Sequence, residues 1–323
     1  MTKVAVVGCG HWGKNLVRNF SELGALIAIS DPNEVLAARC GVEYDVPVLN
    51  YDAILASDCD GVVIAAPAPL HASLSQKAFA AGKHVYVEKP LAMTLNEADE
   101  MIAAGLKADR QLMVGHLLQY HPVFARLRDM VRQGELGALQ YIYSNRLSLG
   151  KIRAEEDVVW SFAPHDISMI LALAGQNVKS VRCEATSTLQ PGISDTASLH
   201  IDFEGGLNCH VYCSWLHPYK EQKLVVIGSA AMAVFDDTQP WDKKLAIYRH
   251  GIDASQVPPM LEKADVTYVR VPEGEPLKAE CQYFLDLMAG QVGPLTDGEE
   301  GRRVLEVLAA ASASDESGEA INA

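Results

Sequence analysis

The chain has 323 residues, a formal net charge of −14 and 49% hydrophobic residues. This length exceeds that of one typical domain, so we expect two domains with a ligand cleft between them. The acidic balance argues against nucleic acid as a partner, because phosphate backbones are bound by clusters of Lys and Arg. No apolar run approaches the about 18 residues of a membrane span, so no membrane partner is expected.

The seven cysteines include no Cys-x-x-Cys pair, and the N-terminus has no basic-then-apolar signal pattern. Both features favour a reducing compartment, and we expect a cytoplasmic protein. Cys209 and Cys213, with His210 between them, have a spacing that metal ligands also show. They lie in the alternating stretch 207–215, which predicts a strand, so we interpret them as buried strand cysteines and predict no metal.

The N-terminal segment has the order of a dinucleotide-binding βαβ unit. A β-branched run at 3–7 leads into a glycine loop at 8–13 and a helical stretch at 14–23. A second apolar run at 25–30 then ends at Asp31, 18 residues after the last glycine of the loop (31 − 13). Strand, glycine loop, helix, second strand and acid together match the dinucleotide fingerprint.

Each residue of the loop has a physical role in such a site. Gly8 permits the tight turn, Gly10 lets the backbone approach a pyrophosphate, and Gly13 lets the helix pack on the strand. His11 and Trp12 lie between these glycines, and we expect them to contact the cofactor as well. The N-terminus of the following helix offers free N–H groups to phosphate.

Asp31 determines which cofactor is expected. Its carboxylate is expected to accept hydrogen bonds from the adenosine ribose and to repel a 2′-phosphate. The next residues, 32–34, include no arginine that would bind that phosphate, although Arg39 follows further along. The sequence therefore predicts NAD.

Strand and helix patterns continue to alternate after this unit, which predicts a doubly wound parallel sheet. The strands are predicted at 61–66 and 84–87, and the helices at 70–81 and 94–107. Ligands of such sheets lie beyond the carboxyl ends of the strands. Pro67 with His71, and Glu88 with Lys89, fall at these ends, and we expect them to face the nicotinamide half of the cofactor.

At Glu88-Lys89-Pro90 the sequence resembles the Gfo/Idh/MocA family of glucose–fructose oxidoreductases and inositol dehydrogenases. The resemblance also rests on the glycine loop, on Pro67 with His71, and on Gly115 with Pro122. It implies an α/β Rossmann domain followed by an α+β domain with a large, mostly antiparallel open sheet. The domains expected are 1–122 for NAD binding, 123–290 for substrate binding and oligomerisation, and a C-terminal segment, 291–323, that returns to the first domain.

Alternating runs independently predict the sheet of the second domain. They lie at 139–147, 180–187, 197–203, 207–215 and 223–235, with a hairpin turn at 204–206. A helix at 277–288, Pro294 and a helix at 299–312 resemble the closing segment of the family, which returns to pack on the first domain. Because such sheets in the family often pair face to face, the resemblance implies a homodimer or homotetramer.

Oxidation of a secondary alcohol needs a group that removes the hydroxyl proton. Lys89 can hydrogen-bond that hydroxyl and stabilise developing alkoxide charge, unless it is an ordinary surface lysine. His165 precedes an apolar helix, as the family's catalytic histidine does, but Ser161 stands where the family usually has an aspartate. His165 therefore acts alone, with Lys89 or with Asp166 as an orienting acid, or it is structural.

The stretch 145–153 holds Arg146, Lys151 and Arg153 in a strongly acidic chain. Three cations within eight positions indicate an anionic ligand such as a diphosphate, or else a solvated surface patch. With the segment 115–122, this stretch most resembles the nucleotide-sugar 3-dehydrogenase branch of the family. That branch implies UDP-N-acetylglucosamine as substrate, a 3-keto sugar as product and an aminotransferase as the next enzyme in a cell-surface glycan pathway.

The predicted substrate contacts combine these groups with two aromatic residues. In chain order they are Lys89, Tyr120, Arg146, Lys151, Arg153, Trp160, His165 and Asp166. The competing hypotheses are a dehydrogenase for a free sugar or cyclitol, a non-catalytic NAD-binding sensor or scaffold, and a hydrolase that uses bound NAD in a closed redox cycle.

Overall fold

A computed structural model describes residues 2–150, 152–154, 156–253 and 255–323. The chain divides into two compact units, of which the first comprises Met1–His121 and Gly274–Leu305. The second comprises Pro122–Glu273 and Glu306–Ala323. None of the helices that the structure describes is long and apolar enough to cross a membrane.

The first unit is built on a five-stranded, all-parallel sheet with the strand order β2-β1-β3-β4-β5. The strands are β1 (Val4–Val7), β2 (Leu26–Ser30), β3 (Gly61–Ile64), β4 (His84–Glu88) and β5 (Leu112–Gly115). The helices are α1 (Gly13–Glu22), α2 (Glu34–Tyr44), α3 (Tyr51–Ala56), α4 (His71–Ala80), α5 (Leu95–Ala108) and α8 (Pro276–Met288). The predicted Rossmann-type sheet is confirmed.

The sequence explains why these elements form where they do. The central strands β1 and β3 are buried at every position and consist largely of valine, as expected for parallel strands covered on both faces. Thr94 and Glu97 form a capping box that starts α5 at the predicted position. Neither α2 nor α3 was predicted. They bury only three residues and one residue, respectively, so their sequences show little of the apolar periodicity that indicates a helix.

The second unit is built on a nine-stranded mixed sheet with the strand order β15-β12-β11-β10-β6-β9-β8-β7-β16. The strands are β6 (Leu139–Leu149), β7 (Val178–Thr186), β8 (Thr196–Phe203), β9 (Asn208–Ser214), β10 (Leu216–Gly228), β11 (Met232–Asp236), β12 (Leu245–Tyr248), β15 (Thr267–Tyr268) and β16 (Ile321–Asn322), beside a separate hairpin of β13 (Gly251–Asp253) and β14 (Met260–Glu262). The helices are α6 (Pro122–Arg132) and α7 (Val158–Ala174), and α9 (Gly298–Ser317) begins in the first unit and ends in this one. The pair β6 and β9 is parallel, and the other pairs of this sheet are antiparallel, which confirms the mostly antiparallel sheet.

Two predicted elements differ from the structure. The alternating run 223–235 is two strands, β10 and β11, joined by residues 229–231 directly after Gly228. Helix α7 starts at Val158, capped by Asp157, rather than near His165. Pro164, a residue typical of helix starts, lies inside this helix, where it removes the N–H that would bond to the carbonyl of Trp160.

The C-terminal boundary also differs from the expected one at residue 290. Helix α8 belongs to the first unit, where Phe284 packs edge-on against Phe20 and Tyr86. The segment 291–323 does not return wholly to the first unit either, because the division falls within α9 after Leu305. A contact between residues about 200 positions apart leaves no trace in local periodicity, so only the resemblance to the family's closing segment indicated the return of this helix.

Candidate functional site

The glycine loop after β1 has the backbone geometry of a phosphate cradle. Gly8 has φ +98°, and a Cβ atom there would lie 2.6 Å from the carbonyl oxygen of Ala65. A Cβ atom on Gly13 would lie 1.9 Å from the carbonyl oxygen of Gly8, so α1 packs on the loop only because this side chain is missing. A Cβ atom on Gly10 would meet nothing within 4 Å, which leaves open space where the backbone faces a ligand.

The start of α1 favours a negatively charged ligand. The first turn of this ten-residue helix has no acidic residue, and its cap makes no side-chain hydrogen bond. Its first N–H groups and the positive end of the helix dipole therefore suit the phosphates of a dinucleotide. The open space beside Gly10, the start of α1 without a side-chain cap, and Asp31 after β2 together fit NAD.

Asp31 lies at the carboxyl end of β2 and is fixed by the main chain. One carboxylate oxygen accepts a hydrogen bond from the N–H of Cys9 at 2.7 Å, and the other accepts from the N–H of Asn33 at 2.8 Å. Each oxygen keeps a further lone pair that can accept from a ribose hydroxyl. Asp31 thus both holds the glycine loop and presents negative charge beside it.

Replacement of Asp31 by Ala is expected to weaken NAD binding by more than about tenfold and to relax the rejection of NADP, because hydrogen bonds to charged groups contribute about 1.5–3 kcal/mol. Calorimetric titration with both cofactors measures this change. The exposed Asp52, in the first turn of α3, provides the matched control Asp52→Ala. An unchanged ratio of NAD to NADP affinity in Asp31→Ala would exclude the proposed role.

Glu88 and Trp12 connect the glycine loop to the end of β4. The indole N–H of Trp12 donates to Oε1 of Glu88 at 2.6 Å, and the Tyr86 hydroxyl donates to the same oxygen at 3.2 Å. The main-chain N–H of Lys89 lies 3.3 Å from Oε2. Burial raises the pKa of Glu88, whereas the Trp12 bond and the neighbouring Lys89 charge act in the opposite direction.

His71 joins two segments at this edge of the sheet. Its Nδ1 lies 2.8 Å from the carbonyl oxygen of Pro90, and its Nε2 lies 2.9 Å from that of Ala66. The side chain is buried, and burial lowers its pKa. His71 therefore connects the segment after β3, which includes the exposed Pro67, to the segment after β4, and both of its ring nitrogens contact main-chain oxygens.

In the second unit, His165 is half-buried in the middle of α7. Ser161 precedes it by four residues, so the two side chains lie on the same face of the helix. Asp166, considered above as an orienting acid for His165, is bonded to other side chains. Its carboxylate is buried and accepts from Arg146 and from the Ser144 hydroxyl, both on β6.

The guanidinium of Arg146 is therefore turned into the core. Its Nε donates to one carboxylate oxygen of Asp166, and a terminal nitrogen donates to the other at 3.2 Å. A buried pair of this kind is maintained because separating it would leave an uncompensated charge. This contact differs from the prediction that Arg146 binds a diphosphate.

The other predicted substrate contacts are distributed over both units. Arg153 is exposed and forms an ion pair with Glu156, and Lys151 lies outside the described residues. The indole N–H of Trp160 donates to the Ser312 hydroxyl at 3.0 Å, which leaves the ring half-exposed. Tyr120 is buried in the first unit with its hydroxyl 2.8 Å from Oγ1 of Thr296, a packing role rather than a sugar contact.

Cys209 and Cys213 are buried in β9, and their thiols are free. Among the residues that the structure describes, no group of three or more His, Cys, Asp or Glu side chains is arranged to hold a metal ion. The spacing of these two cysteines therefore reflects the alternation of a strand.

Two sequence profiles of one family match consecutive parts of the chain. Residues 2–116 match an oxidoreductase-family domain with an NAD-binding Rossmann fold, and residues 124–234 match the GFO/IDH/MocA C-terminal domain. The chain belongs to the Gfo/Idh/MocA family of oxidoreductases. The resemblance inferred from the sequence is confirmed, and with it NAD as the cofactor and an oxidoreductase activity.

Members of this family with different substrates are similar to the chain. UDP-N-acetylglucosamine 3-dehydrogenase from Acidithiobacillus ferrooxidans is 27% identical over 305 residues, which cover 94% of each chain. A solved structure of that enzyme, GnnA, has a TM-score of 0.88 at 26% identity and covers 98% of this chain and 97% of its own. Inositol 2-dehydrogenase from Klebsiella pneumoniae is 27% identical over 247 residues, 72% of this chain and 73% of its own.

Proposed function

We propose that the chain oxidises a secondary hydroxyl, at C3, of a nucleotide sugar such as UDP-N-acetylglucosamine to a 3-keto sugar. The similarity to the Acidithiobacillus ferrooxidans enzyme over 94% of both chains supports this substrate, because the inositol dehydrogenase covers only 72% of the chain. When bound, NAD supplies the hydride acceptor. The product would then be a substrate for an aminotransferase.

Two residues are proposed to handle the hydroxyl proton. Lys89 follows the carboxyl end of β4, where its ammonium can donate to the reacting oxygen and stabilise negative charge there. His165 is half-exposed on α7, so its imidazole can accept the proton and pass it to water. Since the carboxylate of Asp166 is bonded to Arg146 and Ser144, Asp166 is not proposed to orient His165.

The basic stretch supports a diphosphate ligand less strongly than its sequence suggests. Arg146 is buried against Asp166, so a diphosphate contact from this stretch would have to come from Arg153 and Lys151. This observation favours a second candidate, a dehydrogenase for a free sugar or cyclitol, which the inositol dehydrogenase relative also represents. The two candidates differ in the charge of the substrate.

With NAD present, UDP-N-acetylglucosamine is expected to produce NADH and to raise the unfolding temperature, whereas free N-acetylglucosamine and inositol at the same concentration are not. The stabilisation follows from mass action and is about 2.7 kcal/mol at 100 times Kd. NADH absorbance and thermal scans measure both effects. Turnover of inositol but not of the nucleotide sugar would replace the first candidate with the second, and tight NAD binding without turnover of either would favour a sensor.

The Arg153→Gln variant tests the contact to the diphosphate. It is expected to weaken nucleotide-sugar binding by more than about tenfold if Arg153 makes a paired phosphate contact. Arg126, which forms a half-exposed ion pair with Glu135, provides the matched control Arg126→Gln. Equal affinities in the two variants would exclude Arg153 from the substrate site.

We also propose that the second unit forms the contact of a cytoplasmic homodimer or homotetramer. One face of its sheet is covered by α7, while half-buried aromatic side chains lie on the opposite face. Tyr143 stacks on His210 with ring centroids 5.2 Å apart, and Tyr141 is hydrogen-bonded to the same histidine. An aromatic patch of this kind suits a self-complementary interface.

A further inference from the structure

The Trp12 side chain joins the cofactor loop, the glycine loop at residues 8–13, to a strand that does not neighbour β1. In the sheet order β2-β1-β3-β4-β5, strand β3 lies between β1 and β4. The indole N–H of Trp12 nevertheless donates at 2.6 Å to Oε1 of Glu88, the last residue of β4. The side chain therefore reaches past the carboxyl end of β3. The loop already packs there, since a Cβ atom on Gly8 would lie 2.6 Å from the carbonyl oxygen of Ala65, directly after β3.

The acceptor of this bond, the Glu88 carboxylate, is held by the sheet. Its Oε1 also accepts from the Tyr86 hydroxyl at 3.2 Å, and only 9% of the residue is exposed. Strand β5 leaves little room beside it, because a Cβ atom on Gly115 would lie 3.0 Å from both Cδ and Oε1 of Glu88. A carboxylate that is bonded and closely packed has little freedom to follow a moving loop. The bond to Glu88 therefore restrains the indole of Trp12.

The two ends of the cofactor loop are held from opposite sides of β1. At the start of the loop, the N–H of Cys9 donates at 2.7 Å to Asp31, directly after β2. At its end, Trp12 donates to Glu88 of β4. Between these two bonds, a Cβ atom on Gly10 would meet nothing within 4 Å, so the middle of the loop is open to a ligand.

The exposure of Trp12 separates a role in the loop from a role in the core. Its residue surface is 39% exposed, whereas Glu88 is buried. A tryptophan with this much exposed surface adds less to the core than a buried one, because the apolar area that it removes from water is smaller. The main effect expected of its hydrogen bond is therefore on the order of the loop.

We propose that Glu88 is a positioning residue that orders the cofactor loop, through the indole of Trp12, before NAD binds. A loop that is ordered in advance loses less conformational entropy on binding, so this bond raises the affinity for NAD. Glu88 acts here through Trp12 and needs no contact of its own with the cofactor. The effect depends on the NAD-binding unit alone, and not on the identity of the sugar or on the role of Lys89.

Four substitutions separate the hydrogen bond from packing. Trp12→Phe keeps an aromatic ring and removes the N–H donor, and Glu88→Met keeps the length and removes the acceptor. Glu88→Gln keeps an amide oxygen that can accept from Trp12. Trp241→Phe is the matched control, because the indole N–H of Trp241 donates to the carbonyl oxygen of Val271 at 2.7 Å in the second unit.

Calorimetric titration with NAD is expected to show about fivefold lower affinity for Trp12→Phe and for Glu88→Met, the effect of one hydrogen bond. The double variant should also lie about fivefold below the parent, whereas two independent losses would multiply to about 25-fold. Glu88→Gln should recover most of the affinity that Glu88→Met loses. Trp241→Phe should lose stability in thermal scans but keep the parental affinity for NAD.

Hydrogen exchange of the NAD-free proteins tests the order of the loop without the cofactor. Main-chain N–H groups exchange faster where the local structure opens more often. Peptides that contain residues 8–14 should therefore exchange faster in Trp12→Phe and in Glu88→Met than in the parent. The same peptides should exchange at the parental rate in Trp241→Phe.

Parental NAD affinity in Trp12→Phe, or losses that multiply in the double variant, would overturn the proposal. Parental exchange of the loop peptides in Trp12→Phe would overturn it as well, because a fall in affinity would then come from a direct contact of Trp12 with the cofactor. Trp12→Phe changes a side chain that is partly exposed, so titration and exchange of this variant decide the outcome even if Glu88→Met does not fold.

Discussion

Replacing Lys89 with Met is expected to lower turnover by about 100- to 1,000-fold while NAD still binds, because removal of one donor to a developing oxyanion typically has an effect of this size. Methionine keeps an apolar stem of similar length but has no charge. The Glu88 carboxylate keeps its bonds to Trp12, Tyr86 and the main chain, so the cofactor loop is expected to stay in place.

Steady-state kinetics measure the loss of turnover, and calorimetric titration with NAD measures whether the cofactor still binds. The control is Lys83→Met, at the opposite end of β4, where the ammonium donates to the carbonyl oxygens of Ser57 and Cys59. That variant is expected to lose stability but to keep its turnover per folded molecule. Near-parental turnover in Lys89→Met would remove Lys89 from the reaction.

The parts of the site that could be predicted are those with a local backbone requirement. Gly8 and Gly13 occupy positions where any side chain would clash with main-chain atoms, so the glycine spacing reports the loop geometry directly. The parallel sheet could be predicted for a similar reason, since strands and helices alternate and each contains its own signals.

The partners of the charged residues could not be predicted in this way. Arg146 and Asp166 are separated by 20 positions, and Arg146 looked like a phosphate ligand because its neighbours in sequence are cations. Only the packing of α7 on β6 shows that the Arg146 guanidinium forms an ion pair with Asp166 in the core. Likewise, the carbonyl oxygens of Ala66 and Pro90 that enclose His71 have no signature in sequence.

The burial of Glu280, on α8, could not be predicted from the sequence either. It lies in a predicted apolar helix, where a single acid gives no sign of whether it is buried or solvated. Its burial depends on the return of α8 to the first unit, where Phe284 packs against Tyr86, almost 200 positions away in the sequence. The one available signal was an acid among Leu277, Cys281 and Phe284, which all proved to be buried.

Replacing His165 with Asn is expected to lower turnover by about 100- to 10,000-fold, the usual contribution of a general acid or base. Asparagine keeps a polar side chain on the half-exposed face of α7, so the fold and NAD affinity should not change. His200→Asn is the matched control, because His200 lies exposed on β8 of the same unit. It is expected to retain parental turnover.

The pH profile of turnover identifies the group that moves the proton. An imidazole changes its charge between about pH 5 and 8, so a histidine acceptor makes turnover rise with pH across that range. The His165→Asn variant should lose this rise with pH. It should keep only the slower reaction in which water accepts the proton. If the rise persists in His165→Asn with a small loss of rate, another residue accepts the proton. Because Ser161 provides no carboxylate one turn before His165, and Asp166 is bonded to Arg146, a persistent profile would point to Lys89 as the acceptor.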